Sequence, residues 1–347
     1  MKLRLSAIAL TLAASAALPA LAQDKVLNIY SARHYQTDEV MYDTFTKTTG
    51  IKINRVDADD AGIVARLRAE GAASPADVVL LVDAARMAAA DAQGLFQPIK
   101  SAKLDAAIPA NLRAAPTADG VTWTGFSTRA RVIVYDPIRV KAADVATYEQ
   151  LADPKLKGML CTRSGSHPYN LSLFSTVVER LGDQKGEAWL KGLVDNMARA
   201  PKGGDTDQIK AVASGECGVA LTNTYYMARL VKSNKPEDRA VVERVRVVFP
   251  NQGTTGTHVN IAGAAVARHA KNRDAAVQFM EYLASPFAQQ YFADGNNEFA
   301  AAKGVKVDNS ALKAMGGENF KAENVPLAAV AKNMTKVQQM LDRVGFK

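Results

Sequence analysis

Four tyrosines of this 347-residue chain fall at equivalent points of its pattern. Tyr35 lies in SARHYQTD, just after the strand-like run VLNIYS, and Tyr169 lies in RSGSHPYN, after GMLCTRS. Tyr225 and Tyr226 are adjacent in TNTYYMARL, after CGVALTN. All four therefore stand at the carboxyl ends of predicted strands, where open α/β sheets bind ligands. Neighbouring side chains at a strand-to-helix junction are separated by roughly a third of a turn, so two phenols there can converge on one atom. A neutral phenol, with a pKa of about 10, is an indifferent partner for most solutes. Beside a trivalent cation it loses its proton and becomes a hard anionic oxygen donor, suited to Fe³⁺ and poorly suited to soft metals. His34, next to Tyr35, is a further candidate donor. A sugar site would call for stacked tryptophan, and Trp123 and Trp189 lie outside these runs.

A second feature is Ser164-Gly165-Ser166, small residues ahead of a helix with Pro168 near its first turn. Helix N-termini of this kind expose backbone N–H groups and favour anions, so a carbonate, phosphate or carboxylate there could complete a metal's coordination by Tyr169. Arg33 is placed to pair with the same anion. Enzymatic signatures do not appear: there is no P-loop, no HExxH, and no GxSxG after a strand. Ser166 beside His167 lacks the third member of a triad.

These residues need a frame, and the pattern supplies one. From Lys25 onward, runs rich in Val, Ile and Leu (26–31, 51–56, 76–82) alternate with helical patterns over 37–48, 61–71 and 83–93, with Asp83 placed to cap the last. Such alternation predicts a doubly wound α/β lobe with a parallel sheet covered on both faces. Two extended runs, WTGF and RVIVYD within 123–137, break the series and suit a crossover. A second α/β series follows, VRVVFP and 257–268 form a return, and helical patterns dominate from Ala275. The expected architecture is α/β: two doubly wound lobes joined by β crossover strands, with a cleft that a hinge can close over a ligand. We assign 23–127 plus 256–305 to lobe 1 and 128–255 plus 306–347 to lobe 2.

Residues 1–22, with Lys2 and Arg4 before an apolar stretch and Ala20-Leu21-Ala22 at its end, read as a secretory signal peptide. The formal net charge of +8 could suggest nucleic acid, but the Lys and Arg residues form no basic run interleaved with aromatics, and export argues against it. Two cysteines are too few for a thiolate cluster. In an oxidising compartment, Cys161 and Cys217, each on a strand-like segment, are expected to form a structural disulfide.

Taken together, LNIYSARHYQTD, SPADVVLLVDAARM, FSTRARVIVYDP, RSGSHPYNLS, NTYYMARL and GTHVNIAGAAV resemble the periplasmic ferric-iron-binding proteins of ABC importers, specifically their tyrosine-rich branch. The resemblance covers nearly the whole mature chain and implies a two-lobe periplasmic binding protein of the Venus-flytrap type. It implies Tyr225, Tyr226, Tyr169 and Tyr35 as ligands of ferric iron, with His34 as a ligand or a group behind Tyr35. It implies an anion cradle at Ser164, Gly165 and Ser166, with contacts from Asn223 and from Asp205, which stands where other members have Asn. Val82 stands where some members carry a ligand Glu, so that ligand should be absent. An acid at 205 disfavours phosphate and points to carbonate or an organic anion. A monomer that delivers iron to an inner-membrane permease, without catalysis, is implied. The rival reading is a binding protein of the same architecture for a polyamine, thiamine or a carboxylate, with Asp57, Asp59, Asp60 and Asp205 as the candidate cleft acids for a polyamine.

Overall fold

The computed structural model describes residues 25–33, 36–306 and 308–347. The signal-peptide reading, and the His34 and Tyr35 assignments, lie outside the described residues.

The first half follows the alternation seen in the sequence. Strand β1 (Val26–Ser31) is followed by α1 (Glu39–Thr49), which stops at Gly50 in a left-handed conformation at φ 73°. β2 (Lys52–Asp57), α2 (Asp60–Glu70), β3 (Val78–Val82) and α3 (Ala84–Ala92) come next. Asp83 caps α3 as expected, its carboxylate accepting the Ala85 N–H. β1 pairs in parallel with both β2 and β3. β4 (Phe96–Gln97) and α4 (Ala102–Ala107) complete this stretch.

The expected crossover is one continuous strand rather than two runs. β5 (Trp123–Tyr135) is 13 residues long and buried along its whole length. Its register slips between Gly125 and Ser127, where Gly125 lets Ile261 approach so closely that a Cβ would lie 2.7 Å from its Cγ2.

The second half contains β6 (Leu160–Cys161), α5 (Pro168–Leu181), α6 (Asp183–Asp195), α7 (Asp205–Ala213), β7 (Val219–Asn223), α8 (Thr224–Val231), α9 (Pro236–Arg244) and β8 (Arg246–Val248). The chain then returns through β9 (Val259–Ala267) to α10 (Arg273–Leu283), α11 (Pro286–Asn296) and β10 (Phe299–Ala300). It ends in α12 (Ser310–Ala314), α13 (Leu327–Lys332) and α14 (Met334–Val344).

The sheet runs β2-β1-β3-β9-β5-β7-β6. β5 pairs antiparallel with β9 up to Ala130, then with β7 and β8 from Arg131 onward. A single strand therefore serves both halves. β9 is inserted antiparallel between β3 and β5, so the first sheet is mixed, not purely parallel. One core cluster on either side holds Leu27, Ile29, Phe45, Phe279 and Phe292, or Ile133, Phe174, Trp189 and Leu341, and a third runs through both halves, from Ile63 and Met87 to Ile209 and Met227. α14 packs on α5 and α6, and α13 lies against both α3 and α5.

Cys161 and Cys217 are bonded, with their Cα atoms 5.8 Å apart. The bond ties the end of β6 to the approach of β7, the strand that leads into the tyrosine pair. It closes a loop across a sequence separation of 56, which by loop entropy stabilises the fold by about 4 kcal/mol. Cys161→Ser/Cys217→Ser is expected to lose about that much, read as a drop in the urea midpoint at an unchanged or slightly larger m-value.

Candidate functional site

β7 delivers the tyrosine pair. Its last residue, Asn223, is the N-cap of α8, so Tyr225 and Tyr226 sit in the first turn of that helix. Their rings lie 4.4 Å apart between centroids, tilted by 34°. The Tyr225 hydroxyl is 3.1 Å from that of Tyr169, in the first turn of α5. Two phenol oxygens from different elements thus meet directly, and the third ring lies tilted against one of them. Tyr225 is buried, while Tyr169 and Tyr226 keep partial exposure.

The opening of α5 is capped by His167, whose Nδ1 accepts the Tyr169 N–H at 3.2 Å. The imidazole edge meets the Tyr169 ring at 4.5 Å. Burial, helped by Arg163 and Arg131, pushes the His167 pKa down to about 3, so the ring is neutral and can serve as acceptor.

Positive charge surrounds the phenols. The Arg229 guanidinium lies 5.2 and 5.5 Å from the Tyr225 and Tyr226 ring centres, and those of Arg163 and Arg129 lie 5.1 and 5.5 Å from that of Tyr169. Arg129 is the unusual one. It is fully buried on β5, and none of its three guanidinium nitrogens has a hydrogen-bond partner among the described residues. Burial works against its charge, but Tyr169, Asp83, Tyr225 and Glu298 more than offset this and hold the cation in place. For Tyr169 the balance runs the other way: burial raises its pKa, and Arg129 only partly offsets the rise. Without a metal this phenol keeps its proton at neutral pH.

The residues assigned to an anion sort unevenly. Arg33 is not available for one: its guanidinium is buried between Asp38, at 2.9 Å, and Glu298, at 3.1 Å, and packed on Phe126 and Phe292. Two carboxylates already satisfy that fork, which corrects the expectation. The Gly165 N–H donates to the Lys347 carbonyl at 2.9 Å, and a Cβ at 165 would meet the Phe346 ring. Its glycine thus serves close packing of the chain end and not an anion. Ser164 and Ser166 bond to each other through their hydroxyls at 2.9 Å, with Ser166 exposed. Asp205 is buried in an ion pair with Arg131 and within 3.3 Å of Arg163, and it accepts the Asn223 N–H. Asn223 takes a bond from Arg131 at 3.1 Å and reaches the Tyr225 hydroxyl at 3.5 Å, so both residues brace the tyrosine pair from behind.

The cleft acids of the rival reading are also engaged. Asp57 pairs with Arg55, Asp59 caps α2 through Gly62, and Asp60 accepts the Val82 N–H. Among the described residues no three His, Cys, Asp or Glu side chains group as metal ligands. The donors seen to meet here are the phenol oxygens of Tyr169 and Tyr225.

Sequence reading missed Arg129, Arg131 and the nearness of the Asp83 carboxylate to Arg129. A signal existed: TRAR places two arginines at i and i+2, on one face of a strand that carries no other charge.

Residues 40–314 match the family of bacterial extracellular solute-binding proteins, and the chain belongs to it. Within that class its relatives include iron proteins and, at lower identity, thiamine-binding periplasmic proteins of Brucella. It is 44% identical to iron uptake protein A2 of Synechocystis sp., over 98% of this chain and 96% of that one. It is 28% identical to the major ferric iron-binding protein of Neisseria meningitidis serogroup B, over 81% of each. Among solved structures, Trichodesmium FutA (IdiA) in complex with iron and citrate superposes with a TM-score of 0.88 at 45% identity, covering 93% of this chain and all of that one. The ferric binding protein from Campylobacter jejuni superposes with a TM-score of 0.83 at 37% identity, covering 92% of this chain and all of that one. The fold is that of a two-lobe periplasmic binding protein.

Replacing Arg129 with Met removes the cation beside Tyr169 at similar length. In an ultraviolet titration of the metal-free protein, at least one buried phenol should then ionise at higher pH than in the wild type. An unchanged curve would remove Arg129 from the site.

Proposed function

We propose that this chain is the periplasmic substrate-binding component of an iron(III) ABC importer. It captures ferric iron by tyrosinate ligation in the cleft between its halves and delivers it to an inner-membrane permease. The observation that carries the reading is the 3.1 Å meeting of the Tyr169 and Tyr225 hydroxyls with the Tyr226 ring packed alongside, in a shell of arginines. The names of its relatives support the same cargo.

Tyr169, Tyr225 and Tyr226 would load the metal first, since one half presents all three. Tyr35 from the other half, with His34 as a further ligand or a group supporting it, would add bonds only when the halves meet, and that differential affinity drives closure. Fe³⁺ supplies the field that deprotonates the phenols. Arg129, Arg163 and Arg229 supply standing positive charge against the several phenolates, which limits the electrostatic cost of assembling them. An organic anion or carbonate completing the sphere would pair with Arg129 or Arg163, the cations facing Tyr169, and not with Arg33. We further propose that the chain acts as a monomer in the periplasm after removal of its leader, and that it performs no catalysis.

Two measurements test this. Adding ferric citrate to the metal-free protein should produce a visible tyrosinate-to-iron charge-transfer colour, which Tyr225→Phe or Tyr226→Phe abolishes. Mutants that keep full colour and affinity would contradict the assignment. The pH dependence has a definite sign. In the metal-free protein Tyr169 titrates above the ordinary phenol range, whereas in the complex the metal holds it ionised, so each ligating phenol releases one proton on binding. Apparent affinity should fall by about tenfold per ligating phenol for each pH unit of acidification below neutrality. A competition titration with a chelator of known protonation constants, repeated across that range, reads the slope.

A further inference from the structure

Asp83 adopts φ 102° and ψ 132°, a conformation that non-glycine residues take up only under constraint from their surroundings. It is fully buried, and its carboxylate joins four elements. Oδ1 accepts the Ala85 N–H at 2.8 Å, capping α3, and the Ser172 hydroxyl of α5 at 3.0 Å. Oδ2 accepts the Asn260 amide of β9 at 2.8 Å and lies 3.9 Å from Arg129 on β5. The Asp83 N–H donates to the Ile261 carbonyl, and the Asn260 amide oxygen holds the next N–H, that of Ala84. The constraint is thus supplied by β9, one of the two stretches that connect the halves.

Ser172 is the residue that makes this more than local architecture. It stands three residues after Tyr169, on the same face of α5, and is itself buried. Its bond to Asp83 therefore runs from the first half to the helix that carries a tyrosine of the candidate site. Rotation of α5 away from α3 has to break it. The same rotation carries Tyr169 away from the first half.

We propose that Asp83 is a positioning residue acting as a closure latch: held in place by Asn260, it grips the Tyr169 helix through Ser172 and so slows the release of bound iron. The proposal rests on the ferric reading of the site for its cargo, while the latch itself is a contact between the halves that can be read without metal.

Ser172→Ala deletes the hydroxyl and leaves the α3 cap, the Asn260 bonds and every tyrosine in place. In the full-length mature protein loaded from ferric citrate, the charge-transfer band should keep its position and intensity. Removal of iron by excess competing chelator should be about tenfold faster, the effect on a dissociation rate of losing a hydrogen bond to a charged acceptor. Ser172→Thr, which keeps the hydroxyl, should return the rate toward that of the wild type. Small-angle scattering from the metal-free protein should give a larger radius of gyration for Ser172→Ala than for the wild type. The latch is refuted by an unchanged release rate together with an unchanged radius, or by equal acceleration in the Ala and Thr variants, which would mark a packing effect. A wild-type protein that takes no colour from ferric citrate would instead overturn the cargo assignment, and the scattering comparison would still decide the latch.

Discussion

Phenols that are to become ligands must sit close together before they lose their protons, and close together they resist losing them. Burial raises the Tyr169 pKa, and Tyr226 pushes it the same way. Everything else about this region answers that difficulty. Three arginines lie within about 5.5 Å of the tyrosine rings, and a fourth, Arg131, pairs with Asp205 behind them. A guanidinium in a low-dielectric setting offers a steady field that water cannot screen. On the proposed reading the protein supplies part of the positive charge in advance, and the metal supplies the rest on arrival.

That arrangement can be built because β5 belongs to both halves. Its alternation puts Arg129 at the register of Asn260 on β9 and Arg131 at the register of Asn223 on β7. One arginine therefore faces the first half's Asp83 and the other the second half's Asp205. The disulfide braces the sheet directly before the tyrosine pair. Candidate ligand residues on turns at strand ends gain their precision from these rigid strands, while on the proposed reading the contact between α3 and α5 is the one that has to move.

The parts of the site that could be read from sequence were those set by local rules. The tyrosines could be placed at strand ends because hydrophobic runs mark the strands, and Asp83 could be placed as a cap because capping is local. The fold class followed from the order of the runs. Long-range partners could not be read in this way. Arg33 stands beside His34 in sequence, yet it points into a pocket of Asp38 and Glu298 that only the return of the chain at 298 creates. Gly165 looks like part of an anion cradle until Phe346 and Lys347 arrive from the far end of the chain. WTGF and RVIVYD look like two strands because the polar residues Ser127, Thr128 and Arg129 interrupt the apolar pattern, whereas the backbone continues through both.

The amino-acid sequence by itself determined the candidate donors, hard phenol oxygens placed after strand-like runs, and the two alternating α/β series that carry them. Those properties depend on residue type and on periods of two and 3.6, which a linear chain displays openly. The tertiary structure alone decided which cations face the phenols, which acids are already satisfied, and which buried carboxylate ties the halves together. Charge pairing acts through space over a few ångströms, between residues separated by dozens or hundreds of positions, so no spacing along the chain encodes it.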